Sequence, residues 1–117
     1  MQLKEGVSIA KSVPEMDAAH VEIEKCFKHF GCEAVVTSGD EETAIHAGRP
    51  LAGDTVNAHY LGKARDYRIW NVPAARRQAL VDLIEDTLGP AFVVIWESQG
   101  TPNEHLHVQS GHVRMTA

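Results

Sequence analysis

The sequence contains no run of about 18 consecutive apolar residues, so no membrane-crossing helix is expected and a membrane is excluded as a partner. The opening segment MQLKEGVSIAKSVPE also lacks the apolar stretch of a signal peptide, which predicts a cytoplasmic chain as synthesised. Cysteine is scarce. Cys26 and Cys32 have no second pair, so neither a C-x-x-C redox motif nor a four-cysteine zinc site can be built, and free thiols are expected. Basic residues are outnumbered, 11 Lys and Arg against 16 Asp and Glu, and they are scattered along the chain. Without a basic stripe to neutralise phosphates, nucleic acid is excluded as a partner. Internal repeats and low-complexity tracts are absent as well.

What is present describes an ordinary globular chain. Hydrophobic residues at 44% and charged residues at 23% show no disorder-type bias, and 117 residues suffice for a single domain spanning 1–117. Met16, Ala19, Ile23, Cys26, Phe27 and Phe30 recur at helical spacing, predicting a helix from Pro14 to Phe30 with Ser12 as its cap and Gly31 as its stop. Cys32 to Ser38 reads as a short buried strand, followed by a polar, Gly-containing loop from Ser38 to Asn57. Lys63 to Ile69 is then a strand, with Ala64, Asp66 and Arg68 on one face and Arg65, Tyr67 and Ile69 on the other. A second helix is expected from Pro73 to about Leu88, stopped by Gly89-Pro90. Phe92 to Glu97 and His105 to Gln109 complete the chain as two strands joined by the turn SQGTPN. The order helix, strand, loop, strand, helix, strand, strand predicts an α+β domain with two main helices and a small, mostly antiparallel sheet. Trp70 and Trp96 are expected in the core, or otherwise as walls of a substrate cleft.

Metal-type side chains concentrate in two short segments, His59 to Asp66 and Glu104 to His107. A catalytic zinc site needs three protein ligands and one open position, which two imidazoles and a carboxylate can supply. In His105-Leu106-His107 the two imidazoles project from one face of a strand while Leu106 enters the other. Gly62 between His59 and Asp66 suits a tight turn that brings loop and strand together.

The pattern H-x-x-G-x-A-x-D at 59–66, followed by E-x-x-H and H-x-H, resembles the signature of the VanY-type zinc D-alanyl-D-alanine carboxypeptidases. Their wider group includes lysostaphin-type endopeptidases and the hedgehog signalling domain. The likeness extends to LKEGV, the first helix, Thr37-Ser38-Gly39, the helix before Gly89 and Val93 to Glu97, and is nearest to short phage or prophage members. It implies a hedgehog/D,D-peptidase-like fold, one Zn2+ ion held by His59, Asp66 and His107, and hydrolysis of an amide bond in peptidoglycan stem peptides. A cytoplasmic chain would reach that substrate through a separate export or lysis system. The chain departs from the family where Asn57 replaces a Ser and where Asp40 and Glu41 replace an aromatic residue and a substrate-binding Arg. Arg49 is the nearest basic replacement, and Arg49 and Asn57 are the expected substrate-binding residues.

Peptide hydrolysis also needs a proton acceptor and donor. Glu104, three positions before His107 as in E-x-x-H, is the expected general base, with Glu97 as its competitor, and His105 is expected to be catalytic. His46 and His112 are further candidates for contacts at the groove. The competing readings are a non-enzymatic zinc-binding module and a phage structural component.

Overall fold

The protein is described by a computed structural model covering residues 2–41, 58, 59 and 61–111. Its elements in chain order are β1 (Gln2–Leu3), α1 (Pro14–His29), β2 (Val35–Ser38), β3 (Ala64–Arg68), a 3-10 turn (Ala74–Arg76), α2 (Arg77–Leu88), β4 (Phe92–Glu97) and β5 (His105–Ser110). The five strands form one sheet in the order β1-β2-β3-β5-β4. Only the β1–β2 pair is parallel, so the domain is α+β with a mixed, mostly antiparallel sheet.

Helix α1 buries Met16, Ala19, Ile23, Cys26 and Phe27, the stripe expected from the 3.6-residue period. Glu15 and Asp17 in its first turn and Lys28 and His29 in its last complement the helix dipole. Ser12 does not cap it. Val13 is the N-cap and makes no side-chain cap bond, while the Ser12 hydroxyl goes to Asp17 (3.0 Å) and receives Arg65 Nη2 (2.8 Å). The second helix starts later than expected, because Arg76 N–H bonds to the Pro73 carbonyl (2.8 Å) and closes a 3-10 turn first. Strand β2 likewise begins at Val35, since Cys32 N–H still bonds back to Phe27 O (3.0 Å) as the chain leaves α1.

Strand alternation divides the sheet into two faces. Tyr67, Leu106 and Val108 point toward the helices and join Met16, Ile23, Phe27, Leu80 and Ile84 in the core. Each such side chain contributes roughly 1.5–3 kcal/mol by leaving water. Two polar side chains also lie on this face. Arg65, 2% exposed, pairs with Asp17 at 2.7 Å, and Tyr67 Oη lies 2.7 Å from His20 Nδ1, tying β3 to α1. Trp96 packs against the core as expected, whereas Trp70 stands 60% exposed just beyond β3. Cys26 and Cys32 are free thiols.

The opposite face carries Asp66 and Arg68 of β3, His105, His107 and Gln109 of β5, and Ile95 and Glu97 of β4. In register, His107 lies between Asp66 and Ile95 on its two neighbouring strands, and His105 lies between Arg68 and Glu97.

Candidate metal centre

The turn before β3 delivers His59. Gly62 N–H bonds to the His59 carbonyl (3.0 Å) and Lys63 N–H to Ala58 O (2.9 Å), so the chain reverses directly into the strand. Gly62 has φ +70, and a Cβ there would lie 2.0 Å from Lys11 O, so only glycine fits against the segment before α1. That segment is held in turn by Asp40 and Glu41. Glu41 accepts Ser8 N–H (2.9 Å) and Gly39 N–H (2.8 Å), and Asp40 accepts the Ser8 hydroxyl (2.6 Å). A Cβ on Gly39 would meet Ser8 O at 2.1 Å, so this approach also requires glycine.

The side chains of His59, Asp66 and His107 converge, with one potential ligand atom from each lying within 4.8 Å of the others. Asp66 Oδ1 is 3.0 Å from His107 Nδ1 and 3.6 Å from His59 Nε2. Donors at about 2.0–2.1 Å from a tetrahedral zinc ion lie roughly 3.4 Å apart, so these separations bracket the spacing a zinc site needs.

The outer hydrogen bonds prepare both rings. His59 Nδ1 is 2.7 Å from Gly39 O, and His107 Nε2 is 2.8 Å from Gln109 Oε1. Each of those nitrogens donates its N–H outward, leaving His59 Nε2 and His107 Nδ1 as the atoms that face Asp66. Gln109 is fully buried and donates onward to Gly111 O (3.2 Å), which fixes the orientation of its amide.

The electrostatics favour a cation at this point. Burial opposes charge on Asp66, yet the hydrogen bonds and charge of His107 and His59 outweigh it and hold the carboxyl well below the usual carboxylate range. Burial lowers the His107 value, but Asp66 and Gln109 more than compensate and raise it above the ordinary imidazole value. The carboxylate is therefore ionised and faces a nitrogen of each ring, an arrangement that favours a cation among them.

A second pair adjoins this triad. His105 Nε2 lies 3.0 Å from Glu97 Oε1 and 3.8 Å from Asp66 Oδ2, and Asp66, Glu97 and His105 form a further convergent group. The hydrogen bond to Glu97 raises the His105 pKa; burial opposes it, the Asn103 carbonyl and Asp66 add to it, and the value is pushed up to about 9. His105 thus donates from Nε2 to Glu97 and from Nδ1 to Asn103 O (2.7 Å).

Glu104, the expected base, is held elsewhere. Its carboxylate accepts Trp96 Nε1–H (2.7 Å) and Arg77 Nη1–H (3.2 Å), and its side chain is 8% exposed. The reason is strand parity: E-x-x-H spacing puts both residues on one side of a helix, but positions three apart on an extended chain face opposite ways. Glu97, opposite His105 in the β4–β5 register, takes the place beside the cluster. Arg49, Asn57, His46 and His112 lie outside the described residues. Sequence reasoning missed Gln109, for which the alternation 105, 107, 109 on one strand was an available signal, and the Gly39 carbonyl, for which there was none.

Together His59, Asp66 and His107 form a site positioned to coordinate a metal ion, of the composition zinc hydrolases use. No protein-family model, curated protein or solved structure matches this chain.

Proposed function

We propose that the protein is a zinc-dependent peptidase that hydrolyses an amide bond in peptidoglycan stem peptides, as a D-Ala-D-Ala carboxypeptidase or a cell-wall endopeptidase. The observation that carries the reading is the convergence of two oriented imidazoles and one carboxylate beside a separate Glu97–His105 pair. A purely structural metal site has no use for that pair. The stem-peptide substrate comes from the resemblance of residues 59–66 and 104–107 to the VanY-type pattern.

His59, Asp66 and His107 would hold the ion, whose contribution when bound would be Lewis-acid chemistry at the scissile carbonyl and at a water. The chain's own residues manage the protons. Glu97 accepts a proton from the attacking water, and His105, hydrogen-bonded to it, delivers one to the departing amine. Asn103 O and Glu97 hold the His105 ring in the orientation this transfer requires.

Zinc-loaded protein incubated with purified peptidoglycan and synthetic stem peptides should release D-Ala or new amino groups, identified by mass spectrometry. Glu97→Gln and His105→Ala should each retain zinc and lose activity by about 10²–10⁴-fold, the range for a general acid or base. Glu104→Gln should leave turnover within a few-fold of wild type while weakening the fold through Arg77 and Trp96. Full zinc occupancy with no product from either substrate would assign the site to a non-enzymatic zinc module. Less than about half an equivalent of zinc would remove the metal centre itself.

A further inference from the structure

We propose that Arg68, braced by Trp70, binds the C-terminal carboxylate of the peptide, which makes the site that of a carboxypeptidase; this rests on the hydrolytic reading above. Three observations converge on Arg68. It lies on the same face as Asp66, two positions further along β3 and opposite His105 in register. Its Nε is buried without a hydrogen-bond partner, and among the described residues it makes no ion pair. By contrast, Arg65 is paired with Asp17 and Arg77 with Glu104.

Trp70 supplies the third. The Arg68 Cζ sits 4.5 Å from the centroid of the Trp70 ring, and Trp70 is 60% exposed. Stacking covers one flat side of the guanidinium and restrains it, and with Nε buried the Nη1–Nη2 edge is the one that would make the bidentate bonds a carboxylate accepts. An exposed tryptophan with no place in the core thereby acquires a reason for its position.

The spacing fits the removal of one terminal residue. Two residues along a strand separate Asp66 and Arg68 by roughly 7 Å. One substrate residue spans about 3.3–3.6 Å, and a paired guanidinium and carboxylate add about 4 Å between their carbons. A peptide lying along β3 with its scissile carbonyl at the metal triad would therefore carry its terminal carboxylate toward the Arg68 end of the strand. An endopeptidase, whose substrate continues past this point, gains nothing from an arginine there.

The test compares a stem peptide ending in D-Ala-D-Ala with its C-terminal amide, and with a third peptide whose side-chain carboxylates are amidated but whose terminus is free. Calorimetric or NMR titration of the zinc-loaded protein should favour both free-terminus peptides over the terminal amide by about 10–100-fold, as expected for a charge-assisted pair. Arg68→Ala should abolish that preference with zinc content unchanged, and Arg68→Lys should restore part of it. Equal binding of acid and amide by the wild type, a preference that follows the side-chain carboxylates, or a preference that survives in folded, zinc-loaded Arg68→Ala would overturn the proposal. The wild-type comparison needs no variant, so it decides even if Arg68→Ala does not fold. The two readings fail separately: a preference without cleavage sinks the hydrolase and leaves the clamp, whereas cleavage of acid and amide alike, with equal binding, does the reverse.

Discussion

A single proton on His105 couples the site to the stability of the metal-free protein. Its folded pKa of about 9 stands above the ordinary 6.5 because Glu97 and Asn103 O accept from its two nitrogens and Asp66 lies nearby. A group whose pKa rises on folding binds more protons in the native state, so its contribution is complete below about pH 6.5 and disappears as the pH climbs through about 9. His107, also raised, acts in the same direction. Zinc-free protein should therefore show a falling urea midpoint between these two pH values, and His105→Gln should flatten much of that decline. An unchanged slope in the variant would show that the His105–Glu97 bond does not form in solution.

At the level of elements, local pattern revealed those parts of the structure that depend only on local pattern. Helix α1 was legible because Met16, Ile23 and Phe27 repeat at its period, and β5 because His105, Leu106 and His107 alternate. Proximity of the ligand pair was legible for the same reason, with Gly62 marking the turn between His59 and Asp66. Glu97 was not separable from Glu104, because the choice depends on how β4 pairs with β5 across a turn, a long-range property with no local signature. β1 went unseen because two residues, Gln2 and Leu3, cannot display a period. The role of Ser12 went unseen because its partner Arg65 lies 53 positions away.

The turn itself gives a sharper test of how an element sets the site. Gly62→Ala puts an alanine at φ +70, costing on the order of 1–3 kcal/mol, and drives its methyl into Lys11 O. His59 should shift away from Asp66, so zinc affinity should fall by more than the loss of stability alone explains. Chelator competition beside urea unfolding separates the two effects. A variant that is destabilised yet holds zinc as tightly as wild type would show that the turn supports the fold without positioning the ligand.

For the whole molecule, the placement of the site on the sheet face opposite the helices has a thermodynamic consequence. The donors come from the turn before β3, from β3 and from β5, with Gly39 at the end of β2 supporting His59 from outside. Unfolding scatters all of them, so an ion that binds only the assembled sheet adds its binding free energy to folding. Free zinc at 100 times Kd should stabilise the native state by about 2.7 kcal/mol, which for a chain of this size raises Tm by on the order of 10 °C. His59→Ala and His107→Ala should lose that increment, since each removes a ligand. Glu97→Gln should keep it, because in the proposed arrangement Glu97 handles protons and does not hold the ion. Differential scanning with zinc and with chelator distinguishes these cases, and a zinc increment that vanishes in Glu97→Gln would make Glu97 a ligand and leave the reaction without its proton acceptor.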